Sequence, residues 1–184
     1  MKKRFQKSDH KIQILSFNMS TPIFINKVET SGIITIDLLD YKPEIEIIAL
    51  DIKEFLFMGM IVKEKEFKES MAEADFSIYK GKAVAVICSE DAIIPPWAYM
   101  MVAEKLYLHA VYVDVNSLDG ILLDFWKKNL LNADLSQYKN QKVVVKARAD
   151  IDPALYLLVS LRLKPWVKSL MYGEAGMPKV IFKN

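Results

Sequence analysis

The chain has 184 residues, 25 basic and 23 acidic side chains, a formal net charge of +2 and 52% hydrophobic residues. That length fits one domain with room for an extension, and the apolar share exceeds the norm for a soluble domain, so a sizeable core with apolar surface to spare is expected. No apolar run nears the ~20 residues that cross a bilayer, which argues against a membrane span.

The charge is uneven. Residues 1–18 hold Lys2, Lys3, Arg4, Lys7 and Lys11 against Asp9, which leaves 20 basic and 22 acidic residues in the remainder. A nucleic-acid binder carries its basic stripe on the folded domain; this body has none, so no nucleic-acid partner is expected. The single cysteine, Cys88, rules out an intramolecular disulfide and fits a reducing, cytoplasmic setting. The two histidines, His10 and His109, cannot build a histidine-rich metal centre, and no metal is expected.

Residues 1–21 read as a flexible basic tail, or in part as sequence upstream of a native start at Met19. Residues 22–184 read as one α/β domain. Ile23–Val28 is a short apolar piece. Ile33–Leu38 and Ile45–Leu50 are rich in β-branched residues and are expected as strands, paired as a hairpin or lying at an edge, in a β-rich N-terminal extension. Asp51 with Glu54 forms a capping box for a short helix that Gly59 ends. A second helix is expected from about Lys63 to Ala74, with Phe67 and Met71 facing the core and mixed charges in solvent.

The next part of the chain repeats. Asp75, Ser77, Tyr79 and Lys80 recur 59 residues on as Asp134, Ser136, Tyr138 and Lys139. Pro96, Tyr99, Val102 and Leu106 recur 57 residues on as Pro153, Tyr156, Val159 and Leu163. The units span about 75–115 and 134–171, and each reads as strand, proline-led helix and strand. The first has strands at Ala83–Cys88 and Val111–Val115; its helix after Pro95 is nearly all apolar and is expected to be largely buried. The second has strands at Val143–Lys146 and Val167–Tyr172 and a helix that Asp152 caps. Between the units, Ser117 caps an amphipathic helix carrying Ile121, Trp126 and Leu130. Val180–Phe182 is a final short strand. The expected fold is a mostly parallel three-layer α/β sandwich built on a duplicated βαβ unit.

If the two first strands pair at the centre, a topological switch point arises between them, and ligands bind at the carboxyl ends of strands near such a point. That rule selects Ser89, Glu90, Asp91 and Trp97 after the first strand and Arg148, Asp150 and Asp152 after its counterpart. Asp114, Asn116, Tyr172 and Glu174 come from the outer strands. An acidic rim with one arginine could hold Mg²⁺ and a phosphate or carry out acid–base work. The same side chains also serve as helix caps and solvated loop residues.

Cys88 ends its strand whereas His109 precedes the next, which sets them roughly 15 Å apart at ~3.3 Å per residue, too far for a catalytic pair. Cys88 is expected as a small core hydrophobe. Tyr99 and Tyr156 are expected to pack on the sheet, and the three tryptophans in core or interface. The Gly173–Gly176 loop matches neither a P-loop nor a dinucleotide fingerprint, and no cofactor is expected.

Ser31–Leu38, Asp51-Ile52-Lys53, Cys88-Ser89, Pro96-Trp97-Ala98-Tyr99 and Met171-Tyr172-Gly173-Glu174 together carry a resemblance. On them, Asn26–Lys183 resembles a bacterial family of uncharacterised proteins catalogued as a domain of unknown function (family 2480). The resemblance implies a small soluble cytoplasmic protein; it brings no activity, cofactor or catalytic residue. The expected function is therefore a non-enzymatic domain that binds a small anionic ligand or a protein partner and self-associates. The alternative is a small enzyme acting on a phosphorylated or carboxylated metabolite at the switch point.

Overall fold

The computed structural model describes residues 32–184. The basic tail and the apolar piece Ile23–Val28 lie outside them. The strands are β1 (Ile33–Ile36), β2 (Ile47–Asp51), β3 (Ala83–Ile87), β4 (Tyr112–Asp114), β5 (Lys142–Lys146), β6 (Ser169–Gly173) and β7 (Lys179–Lys183). The helices are α1 (Glu64–Glu73), α2 (Pro96–Leu106), α3 (Leu118–Asn132) and α4 (Pro153–Leu163). Single 3₁₀ turns cover Leu38–Tyr41, Ile52–Phe55, Phe76–Tyr79 and Ser136–Tyr138.

The architecture is mixed α/β with two mostly parallel sheets. One has the order β2–β3–β4, all parallel; the other has the order β1–β5–β6–β7, with only β7 antiparallel. This overturns the expected central pairing of the two first strands: β3 and β5 sit in different sheets. Of the two arrangements expected for the N-terminal strands, the hairpin is absent and the edge position holds. β1 and β2 are edge strands of separate sheets, pairing with β5 and β3 respectively. Each arrives as a parallel partner because a long crossover separates it from the strand it joins, and a parallel pair needs such a connection.

The recurring Asp-x-Ser-x-Tyr-Lys residues have a physical reason. Asp75 accepts a hydrogen bond from the Ser77 amide, and Asp134 one from the Ser136 amide, both at 2.8 Å. The Lys80 and Lys139 amides then close the turns on the Ser77 and Ser136 carbonyls. Tyr79 and Tyr138 are buried, anchoring the turns to their cores. Gly81 (φ 76°) and Asn140 (φ 60°) take the left-handed step into the strand, where Gly and Asn are tolerated best. The Gly81 and Asn140 amides donate to the carbonyls of His109 and Trp166, the residues leading into β4 and β6.

The strands β3 and β5 are buried on both faces, as their unbroken apolar runs require. Val84, Val86 and Leu50 pack against α1 and α2 through Phe67, Met71, Ala98 and Val102. Ala83 and Ala85, on the opposite face of β3, receive Ile121 of α3. Five residues along α3, Trp126 enters the other core, with Leu130, Val143, Val145, Leu155 and Leu170. One helix thus packs against both sheets. The Trp126 indole N–H donates to the Leu38 carbonyl at 2.9 Å, tying α3 to the turn after β1.

Expectation and structure part at α2. Ala98, Val102 and Leu106 are fully buried, but Met100 is 72% exposed. A helix lying on one face of a sheet buries only the stripe repeating every three to four residues, whatever the composition of the rest.

Candidate functional site

The carboxyl ends of the parallel strands present two separate edges. On the four-stranded sheet, β1 ends at Asp37 and β5 leads to Arg148. The Arg148 guanidinium grips Asp37 in a fork, Nε to Oδ1 at 2.8 Å and Nη2 to Oδ2 at 2.6 Å. Lys146 adds an ion pair at 3.4 Å, and the Leu39 amide donates to Oδ1 at 3.1 Å. These partners, Arg148 first, outweigh burial and hold Asp37 at about 2. Arg148 stays in this position because its own backbone is pinned: its amide donates to the Tyr156 hydroxyl at 2.9 Å. That hydroxyl lies 3.2 Å from the Lys146 carbonyl, within reach to donate in turn. Burial, first among the causes, pushes the Tyr156 phenol up. Tyr172 packs edge-on against Tyr156, with ring centres 5.5 Å apart. Tyr156 therefore does more than pack on the sheet: it locks the loop after β5.

On the three-stranded sheet, β2 ends at Asp51, which accepts from the Lys53 amide at 3.0 Å and the Ser89 amide at 3.1 Å. Burial would raise Asp51, but the hydrogen bonds from Ser89 and Lys53 win and lower it. The side chain of Glu90 pairs with Lys53. Cys88 is half-buried against the core and its thiol donates to the Glu90 carbonyl at 3.3 Å. Trp97 is partly buried and meets Phe67 edge-on at 5.6 Å, which packs it against the core.

The two edges share a pattern. Ile-Ile-Thr-Ile-Asp-Leu (33–38) and Ile-Ile-Ala-Leu-Asp-Ile (47–52) each run along an edge strand and end in an aspartate. That aspartate caps a 3₁₀ turn and reaches the loop after the neighbouring strand. Asp37 takes the side chain of Arg148 there; Asp51 takes the backbone of Ser89. Neither aspartate was singled out as a site residue from the sequence, although the matching hexapeptides carry the signal.

The remaining candidates do not converge. Asp152 caps α4 through the Ala154 amide at 2.7 Å. Asp114 accepts from its neighbour's amide, Val115, at 2.9 Å, and Asn116 from the Ser117 amide at 2.8 Å. Asp91, Asp150 and Glu174 are exposed. Asp91 does not cap α2, whose N-cap is Pro95 without a side-chain bond. The expected switch point is thus replaced by two edges. Ser89, Glu90, Asp91, Trp97 and Asp114 stand on one; Arg148, Asp150, Asp152, Tyr172 and Glu174 on the other. Among the described residues, no three His, Cys, Asp or Glu side chains stand close enough to hold a metal ion. No helix among them is long and apolar enough to cross a membrane.

These features define an α/β protein whose polar edges tie strands together. Residues 22–184 match the model of a family described as proteins of unknown function, DUF2480, and the chain belongs to that family. No curated protein and no solved structure matches it.

Proposed function

We propose that this chain is a non-enzymatic, cytoplasmic binding module that takes a small ligand or protein partner and associates with a second copy of itself. The observation that carries the reading is the use made of the carboxyl-edge side chains. Asp37, Asp51, Asp152 and Arg148 are each spent on a cap or an inter-strand tie. Catalysis on a phosphorylated or carboxylated metabolite would need Arg148 free to meet the anion, and its fork is filled by Asp37. A general acid or base would need to face a reacting atom across a shared cleft, and the candidate carboxylates are divided between two edges.

Self-association draws support from apolar side chains outside both cores. Leu157 and Leu161 on α4 are 65% and 67% exposed, and Met100 on α2 is exposed as well. We also read the two turn–strand–helix–strand stretches as copies of one unit, each preceded in its sheet by an aspartate-ended edge strand. That reading accounts for paired turns and paired aspartates with no shared chemistry.

The test is a thermal-shift screen of the full chain against metals, nucleotides and carboxylated or phosphorylated metabolites, with recovery of each hit by mass spectrometry. A ligand at about a hundred times its dissociation constant adds ~2.7 kcal/mol of stability. Recovery of the hit unchanged is the expected result; its conversion to product refutes the non-enzymatic reading. Light scattering is expected to give the mass of a dimer, and a monomer across the working concentrations removes the self-association.

A further inference from the structure

One face of the four-stranded sheet packs against α3 and α4. Ile36, Val143, Val145 and Leu170 enter the cluster completed by α3 and α4. The residues alternating with them face the other way. Register places Ile33, Lys142, Ser169 and Lys183 in one row across β1, β5, β6 and β7. The next row on that face is Thr35, Val144, Met171 and Val180. A cationic row thus borders an apolar one, and a cavity of about 400 Å³ opens at their junction. Lys168 adds a third ammonium to its wall.

Lys142 and Lys183 flank Ser169 on neighbouring strands. At ~4.8 Å between strands their backbones are ~10 Å apart, a gap that two lysine side chains close over Ser169. Among the described residues, no Asp or Glu side chain lines the cavity, and none of the three lysines pairs with one. Like charges gathered this way raise the local potential and draw in an anion. The floor offers aliphatic Ile33, Met171 and Val180 and, among the described residues, no aromatic ring on which a nucleobase could stack. The Asn184 amide is already used, donating to the Lys164 and Val167 carbonyls. The volume falls in the range of ligand pockets, about 300–1,000 Å³.

We infer that this cavity binds a small amphipathic anion. Its carboxylate head lies over Ser169 between Lys142, Lys168 and Lys183, and its aliphatic body lies on Ile33, Met171 and Val180. The inference rests on the binding-module reading and names its ligand class. It also moves the site to the amino ends of the parallel strands β5 and β6, away from the carboxyl edges.

The experiment is calorimetric titration of the full chain with decanoate, decylamine and inorganic phosphate. Decanoate is expected to bind one per chain, decylamine not at all, and phosphate at least about tenfold more weakly than decanoate for want of the apolar contact. Lys142→Gln and Lys183→Gln are each expected to weaken decanoate about five- to tenfold, near the contact value for one exposed charge pair. Added salt weakens it further by screening. All three lysines are exposed, so the variants keep the fold, and circular dichroism checks it. Leu157→Ala, in the groove beside α4 on the opposite face, leaves the affinity unchanged. Absence of decanoate binding, equal binding of phosphate, or indifference to both lysines overturns the inference. Should a different ligand from the metabolite screen still bind and return unchanged, the binding-module reading survives and this site alone falls.

Discussion

Removing the Asp37 carboxylate tests whether the tie between β1 and β5 holds the four-stranded sheet. In Asp37→Asn the fork to Arg148 loses its charge, and Lys146 loses its partner. Asp37 sits at about 2 instead of the ordinary 3.8. The full displacement corresponds to about 2.4 kcal/mol of stability at neutral pH. The side chain is 18% exposed, and solvent screening reduces the expected loss to about 1–2 kcal/mol. The sign is fixed by the direction of the displacement. A carboxylate whose folded value lies below its unfolded one stabilises the protein above the unfolded value, and this contribution fades as pH falls through the folded value. The gap between wild type and Asp37→Asn is therefore largest at neutral pH, about halved near pH 3 and mostly gone by pH 2. Urea unfolding of both proteins at several pH values measures it, with equal slopes as the check that only stability has changed. Arg148→Met completes a double-mutant cycle: the coupling is expected to be full at neutral pH and much reduced near pH 2. A gap that stays constant from pH 7 to pH 2, or no gap at all, refutes the reasoning.

Trp126→Phe keeps the ring in the core and deletes the indole N–H that meets the Leu38 carbonyl; the orphaned acceptor is expected to cost about 1–3 kcal/mol, read as a lower urea midpoint with an unchanged slope. Gly173→Ala forces a side chain on to a backbone with φ 120° at the end of β6; a loss of about 1–3 kcal/mol in the same assay is expected, and no loss means that this turn relaxes freely.

Local order was legible in the sequence because its causes are local. Ser117 and Asp152 cap α3 and α4 within three residues of the amides they serve, and Pro153 sits where a missing N–H costs nothing. The Asp-x-Ser-x-Tyr-Lys turns, the apolar runs of β3 and β5 and the stripe of α1 are likewise written within a few residues. The candidate site was legible only in part. Arg148 was found, but Asp37, its partner 111 residues away, was not. Nor were Lys142 and Lys183 picked out, because their row exists only once β5, β6 and β7 lie side by side.

The sequence by itself thus determined which segments become the strands and the longer helices, and which of their faces are apolar. The tertiary structure decided which strands meet. An apolar parallel strand carries no mark of its neighbour: β5 pairs as well with a run such as Ile33–Ile36 as with Ala83–Ile87, since backbone hydrogen bonds are indifferent to sequence. The choice falls to packing. α3 buries Ile121 on one sheet and Trp126 in the other core, and that division keeps β3 and β5 apart and splits the expected single cleft into two edges.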